Sequence, residues 1–148
     1  MSTSGERIVI LMADDDADDR KLTQMALAES RLANDVHMVE DGEELLDYLL
    51  HRGAYSDPRT APRPGVILLD LNMPRMDGRE ALREIKADPD LRSIPMVVLT
   101  TSEEDEDIFR SYDLGASSYI TKPVTFDALV QVMRELGNYW FQIVRLPP

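Results

Sequence analysis

Carboxylate, hydroxyl and amine side chains stand directly after short apolar runs of the sequence. The residues in question are Asp14, Asp15, Asp70, Thr100 and Lys122. Carboxylates within a few ångström of one another repel, and a cation relieves that repulsion. Hard oxygen ligands of this kind suit Mg²⁺, which keeps several of its waters. The residue types therefore indicate a magnesium site.

The same residues are suited to phosphoryl chemistry. A carboxylate such as Asp70 can act as a nucleophile toward phosphorus and form an aspartyl phosphate. The Lys122 ammonium and the Thr100 hydroxyl would then hold the phosphoryl oxygens while negative charge develops on them. Asn72, two residues after Asp70, adds a further oxygen donor.

The apolar runs themselves predict the elements that bring these residues together. Continuous aliphatic runs are typical of strands buried on both faces, so a parallel sheet covered by helices on both faces is expected. Ligands of such α/β sheets bind at the carboxyl ends of the strands. The predicted strands are Ile8–Met12, Val36–Val39, Val66–Leu69, Met96–Leu99 and Tyr119–Thr121; the predicted helices are Ala17–Ala33, one from Gly42, Arg79–Ala87, Glu103–Leu114 and one from Phe126. Gly53–Gly65, rich in proline, is predicted as a long loop. Leu22, Met25, Ala26 and Leu32 are expected on the apolar side of the first helix, and Thr125 is expected to cap the last helix.

Composition narrows the possible functions. The chain has 148 residues and a formal net charge of −12, so its own field repels nucleic acid and anionic membranes. It contains no cysteine, which excludes disulfides and thiolate sites and permits a cytoplasmic location. We predict one domain over residues 1–137 and an apolar extension over 138–148.

The motifs jointly resemble those of response-regulator receiver domains. The resemblance rests on the acidic pair after the first strand, on Thr100, and on two longer stretches. These stretches are Leu69-Asp70-Leu71-Asn72-Met73-Pro74 with Asp77-Gly78, and Tyr119-Ile120-Thr121-Lys122-Pro123. The resemblance implies a flavodoxin-like, doubly wound α/β fold with five parallel strands in the order 2-1-3-4-5.

The resemblance also implies roles for individual residues. Asp70 would accept a phosphoryl group from a histidine kinase, with Lys122 and Thr100 assisting. Mg²⁺ would be held by Asp15, Asp70 and the backbone carbonyl of Asn72, with Asp14 acting largely through water. Thr100 and Tyr119 would change conformation as a switch. We expect the kinase to dock beside the first helix, near Leu22 and Met25.

A narrower resemblance concerns the kinase. Five parts of the sequence are similar to single-domain regulators paired with bacterial phytochromes. They are Asp70–Gly78, Asp88–Pro95, Thr100-Thr101-Ser102, the long loop before the third strand and the ending from Tyr139 to Pro147. This implies a phytochrome-type histidine kinase as partner and a stand-alone signalling protein rather than an independent enzyme.

Two other functions remain as alternatives. A Mg²⁺-dependent phosphohydrolase of the haloacid-dehalogenase type uses a similar residue set, but it needs a second Asp where this chain has Asn72. A pure interaction module that has lost phosphorylation is disfavoured by the intact set of site residues.

Several polar and aromatic residues have simpler interpretations. Asp16, Asp18 and Asp19 are expected to form a solvated helix start, where carboxylates are favoured. Tyr119 is also compatible with an ordinary core position. His37 and His51 lie apart from the site residues, and neither is predicted to be a ligand.

The end of the chain is predicted to be an interface. Apolar residues follow helical spacing through the last helix and beyond it; they include Leu136, Trp140, Phe141 and Val144. Exposed apolar patches usually mark interfaces, so we expect a symmetric homodimer. The alternative is a tail folded back on its own domain.

Overall fold

A computed structural model describes residues 8–29, 35–101 and 104–137. Strands and helices alternate along the described chain. The strands are β1 (Val9–Ala13), β2 (Asp35–Val39), β3 (Val66–Leu69), β4 (Met96–Thr100) and β5 (Ser118–Thr121). The helices are α1 (Ala17–Glu29), α2 (Gly42–Leu49), α3 (Gly78–Ala87), α4 (Asp105–Asp113) and α5 (Phe126–Gly137).

The five strands form one parallel sheet in the order β2-β1-β3-β4-β5. This confirms the predicted flavodoxin-like α/β fold. Successive side chains of a strand point to opposite faces of the sheet, and the inner strands β3 and β4 are buried throughout. Their continuous apolar runs therefore supply two hydrophobic cores rather than one.

Each face of the sheet has its own core. On one face α1 and α5 cover Ile10, Leu68 and Leu99, and on the other face α2 and α3 cover Leu11 and Leu69. None of the helices in the described ranges is long and apolar enough to span a membrane.

The structure corrects two predictions about local structure. Leu22 and Met25 were assigned to the apolar side of the first helix, but they are exposed, while Thr23, Ala26 and Leu27 are buried. The predicted loop 53–65 contains a short 3-10 helix, Gly53–Tyr55. The predicted helix cap at Thr125 is confirmed, since its hydroxyl accepts the Ala128 N–H at 3.1 Å.

Candidate phosphoacceptor and metal site

Three carboxylates meet at the carboxyl ends of β1 and β3. One oxygen each of Asp14, Asp15 and Asp70 lies within 4.8 Å of the others. Asp14 and Asp70 are buried and Asp15 is exposed. Buried carboxylates this close repel one another strongly, and hard oxygen donors fit a divalent cation. The residues present therefore fit a metal ion at this edge of the sheet.

Lys122 lies beside two members of this cluster, Asp14 and Asp70. Its Nζ donates to Asp14 Oδ2 at 2.6 Å and to Asp19 Oδ2 at 2.8 Å, and lies 3.5 Å from Asp70 Oδ2. Burial lowers the pKa of Lys122, but the hydrogen bonds to Asp14 and Asp19 outweigh it, so the pKa is raised above its ordinary value. Lys122 is thus held as an ammonium beside Asp70.

Asp14 is held in place by several hydrogen bonds. Its Oδ1 accepts the Asp16 N–H at 2.9 Å, and its backbone carbonyl accepts from Arg20 Nη1 at 2.7 Å. Burial raises the pKa of Asp14, and the hydrogen bonds from Lys122 and from the Asp16 backbone oppose that shift. Arg20 was not singled out from the sequence, because its contact is with a backbone atom six residues away.

Thr100 ends β4 next to this cluster. Its side chain is fully buried, and its Oγ1 has no hydrogen-bond partner among the described residues. Its carbonyl accepts the Lys122 N–H at 2.7 Å, which ties the β5–α5 loop to β4. A buried hydroxyl without a partner is costly, so this one is available to donate to a group that enters the site.

The loop after Asp70 is held close to the sheet. The Asp70 N–H donates to the Ala13 carbonyl at 3.0 Å, and the Gly78 N–H donates to the Leu71 carbonyl at 2.9 Å. A Cβ on Gly78 would lie 2.2 Å from the Asp70 carbonyl oxygen. The backbone therefore comes closer here than any residue with a side chain would allow. Asn72 is exposed beside Asp70, and its N–H lies 3.4 Å from Asp70 Oδ1.

A second contact fixes the same loop and was missed from the sequence. Arg75 has a φ of 64°, and its guanidinium donates through Nε and Nη2 to Asp41 Oδ2 at 2.9 and 2.6 Å. Asp41 is buried and also caps α2 by accepting the Glu44 N–H. Two residues 34 positions apart in the chain give no local pattern that would reveal this pair.

Asp19 differs from its predicted role. We expected a solvated carboxylate at the start of α1, but Asp19 forms an ion pair with Lys122. Asp16 does act as expected, since its side chain accepts the N–H groups of Asp18 and Asp19. Asp19 was misassigned because a carboxylate in a first helical turn is explained equally well by the helix dipole.

Tyr119 lies on β5, next to the site edge. It is partly buried and packs against the core beneath α2 and α3. Its N–H donates to the Tyr112 hydroxyl of α4 at 3.1 Å. A bidentate ion pair between Arg79 and Asp107, at 2.9 and 2.8 Å, joins α3 to α4 nearby.

The remaining predicted residues lie away from the cluster. Leu136 is partly buried against the core of α1 and α5, whereas Trp140, Phe141 and Val144 lie outside the described residues. No peptide bond in the described ranges is cis, so Lys122-Pro123 is trans.

The fold and the strand-end cluster together define a receiver domain. The chain belongs to the response regulator receiver domain family, whose profile matches residues 10–134. Its relatives are signalling proteins, which favours the receiver function over a haloacid-dehalogenase hydrolase.

Particular relatives are similar over nearly the whole chain. Response regulator Rcp1 of Synechocystis sp. is 40% identical over 139 residues, covering 94% of this chain and 92% of that protein. The crystal structure of the phosphorylated cyanobacterial phytochrome response regulator RcpA is 43% identical, with a TM-score of 0.89, and the match covers 97% of this chain and 100% of that one.

A further solved structure concerns the metal. The Mn²⁺-bound form of Rcp1 is 39% identical, with a TM-score of 0.85, and the match covers 95% of this chain and 99% of that one. Together with the three clustered carboxylates of this chain, it indicates a divalent-metal site at the Asp cluster.

Proposed function

We propose that the protein is a phosphoacceptor switch in which Asp70 receives a phosphoryl group from a histidine kinase. The observation that carries this proposal is the position of the Asp70 carboxylate, 3.5 Å from the Lys122 ammonium and inside a cluster of carboxylates. The buried, unpartnered hydroxyl of Thr100 supports it. Asp70 thus has groups beside it that can hold a phosphoryl oxygen.

The transfer is a substitution at phosphorus. An Asp70 oxygen attacks the phosphorus of a phosphohistidine, the O–P bond forms, and the P–N bond breaks with its electron pair going to the imidazole, which takes up a proton. Lys122 donates to the transferring oxygens, and Thr100 donates its free hydroxyl to one of them. Donors placed in advance stabilise the charge that develops in the transition state.

We propose Mg²⁺ as the cation of the site. Asp15, Asp70 and the Asn72 carbonyl would hold it, with Asp14 acting through water. When bound, the cation supplies positive charge that offsets the repulsion between carboxylate and phosphoryl oxygens. Asp14 is already engaged by Lys122, which supports an indirect role for it.

The switch would start at Thr100 and reach Tyr119. Drawing the Thr100 hydroxyl toward a phosphoryl group opens space beside β4, and Tyr119 would turn into that space. Tyr119 is only partly buried and its N–H is hydrogen-bonded to Tyr112. Movement of Tyr119 would therefore alter its contact with α4. The negative charge of the phosphoryl group would drive this change in packing.

The kinase would dock on an apolar surface beside Asp70. We call the exposed side chains of Leu22, Met25, Val124 and Phe126 the docking patch. Three residues of the patch, Leu22, Val124 and Phe126, border a cavity that is also lined by Asp19 and Lys122. Apolar groups exposed around a reactive centre fit a partner that must cover it. The similarity to phytochrome response regulators favours a phytochrome-type kinase.

Incubation with acetyl phosphate and Mg²⁺ tests the proposed activity. A phosphoacceptor gains one phosphate per chain by intact mass, whereas a hydrolase releases phosphate continuously and an inactive module does neither. Steady turnover or a complete lack of labelling would refute the proposal.

Phosphotransfer rates from several purified histidine kinases of the source genome test the partner. We expect the fastest transfer from a phytochrome kinase. A clear preference for a kinase without a photosensory module would contradict that assignment.

A further inference from the structure

We propose that Asp19 is a positioning residue that holds Lys122 in the unphosphorylated protein and thereby slows phosphorylation of Asp70. This inference rests on the proposed function. It assigns to Asp19 a task that is separate from metal binding, because Asp19 is not one of the three residues whose oxygens lie within 4.8 Å of one another.

The first step of the argument is the number of donors. An ammonium has three N–H groups. Lys122 Nζ has three carboxylate neighbours, at 2.6 Å for Asp14, 2.8 Å for Asp19 and 3.5 Å for Asp70. Two of its donors are thus engaged at short distance by Asp14 and Asp19, and Asp70 lies at the limit of hydrogen-bond distance. Release of Asp14 or Asp19 frees a further donor for a phosphoryl oxygen.

The second step is which acceptor is released. The Asp14 side chain is fully buried, so loss of its partner would leave a buried charge unpaired. Asp70 is the residue that carries the phosphoryl group. The Asp19 side chain is 34% exposed, and water can solvate it once Lys122 has left. Asp19 is therefore the partner that is exchanged.

The third step is the route by which a phosphodonor approaches Asp70. Asp19 borders the cavity between the docking patch and Lys122. A carboxylate at this position repels an anionic donor that approaches Asp70 along this side. Asp19 opposes phosphoryl uptake in two ways, since it occupies a Lys122 donor and adds negative charge to the approach.

Charge removal at Asp19 gives the test, and the same helical turn offers a matched control. Asp19→Asn keeps the shape and weakens the hydrogen bond to Lys122, Asp19→Glu keeps the charge, and Asp18→Asn removes the same charge from an exposed neighbour. Initial labelling rates with acetyl phosphate are measured by intact mass at saturating Mg²⁺, with circular dichroism as a folding check. Asp19→Ser replaces Asp19→Asn if that variant does not fold.

We expect Asp19→Asn to be labelled at least about threefold faster than Asp18→Asn, because a charge-assisted hydrogen bond is roughly twice as strong as a neutral one. Asp19→Glu should stay close to the unaltered protein, and the difference should persist at high salt because a contact pair is screened little. Equal rates for Asp19→Asn and Asp18→Asn, or a slower Asp19→Asn, would overturn the inference. Absence of labelling in the unaltered protein would instead refute the proposed function.

Discussion

At the residue level, the strand-end cluster holds more negative charge than Lys122 neutralises. Three carboxylates, those of Asp14, Asp19 and Asp70, lie within 3.5 Å of this ammonium, and the exposed Asp15 carboxylate lies close to two of them. Buried like charges disfavour each other's ionised forms. The folded protein therefore contains unfavourable repulsion that a bound cation would remove.

This repulsion predicts that divalent cations stabilise the fold. A ligand that binds the folded state alone adds about 2.7 kcal/mol to the free energy of unfolding at a concentration 100 times its Kd. Thermal unfolding should thus shift upward with Mg²⁺, and Asp15→Asn should reduce the shift because it removes the exposed carboxylate of the cluster, a proposed ligand. Asp18→Asn serves as the charge-matched control. Equal shifts in the two variants would argue against Asp15 as a ligand.

At the level of elements, the loop between β3 and α3 is fixed by a close approach between its own two ends and by contacts to the start of α2. Gly78 approaches the Asp70 carbonyl, and the Arg75–Asp41 ion pair joins the loop to the start of α2. The Gly42 N–H also donates to the Met76 carbonyl at 2.9 Å. These contacts hold the backbone of the proposed phosphoacceptor in one position.

Gly78→Ala should therefore impair labelling as well as stability. Its Cβ meets backbone atoms, so the Asp70 carbonyl has to shift, at a cost of about 1–3 kcal/mol. Gly53→Ala is the control, since its φ of 57° is also strained for alanine but no atom lies within 4 Å of the added Cβ. We expect Gly53→Ala to lose stability but label normally with acetyl phosphate. Normal labelling of Gly78→Ala would contradict the importance of this close approach.

The long loop before β3 is anchored by Tyr48 of α2. Its buried hydroxyl donates to the Pro62 carbonyl at 2.8 Å. Burial, with a contribution from the charge of Asp35, raises the pKa of Tyr48 from 10.0 to about 12. The folded state holds this proton more strongly than the unfolded state does. The resulting stabilisation is complete below pH 10.0 and is lost as the pH rises toward about 12.

Tyr48→Phe should therefore alter the alkaline part of the stability curve. At neutral pH the variant should lose about 1 kcal/mol, because the Pro62 carbonyl loses its donor. Between pH 10.0 and about 12 its free energy of unfolding should fall less steeply than that of the unaltered protein. Denaturant unfolding at a series of pH values measures both effects. Parallel curves would show that Tyr48 does not titrate differently in the two states.

At the scale of the molecule, the sheet separates two helical layers, and the proposed site lies at the carboxyl ends of its strands. The layer of α1 and α5 carries the docking patch, and the core under this layer includes Leu136 at the end of α5. We propose that the apolar segment 138–148, which lies outside the described residues, forms a homodimer interface together with the last helix, with Leu136, Trp140, Phe141 and Val144 as its main contacts.

Sedimentation tests the dimer. The full chain should sediment as a dimer at tens of micromolar, and a chain ending at Gly137 should sediment as a monomer, because it lacks most of the apolar contact surface. Monomers in both cases, with and without phosphorylation, would contradict the dimer and favour the alternative of a folded-back tail.

The sequence predicts the sheet and most of the site because both depend on local patterns. The runs in β3 and β4 are buried as expected, and each brings a polar residue, Asp70 or Thr100, to the same edge. The strand order came from the resemblance to receiver domains and is confirmed.

What the sequence does not predict depends on side-chain contacts between distant residues. The pairs Asp19–Lys122 and Asp41–Arg75 join residues 103 and 34 positions apart. The exposed positions of Leu22 and Met25 were missed for a related reason, since apolar spacing alone does not show which face of α1 meets the sheet.

Mapping the phosphoryl group tests the central claim most directly. After incubation with acetyl phosphate and Mg²⁺, borohydride converts an aspartyl phosphate to homoserine, and peptide mass spectrometry then locates the altered residue. We predict conversion at position 70, its absence in Asp70→Asn, and its absence without a divalent cation. Conversion at another aspartate, or a phosphorylated serine, threonine or histidine in place of an aspartyl phosphate, would contradict the account.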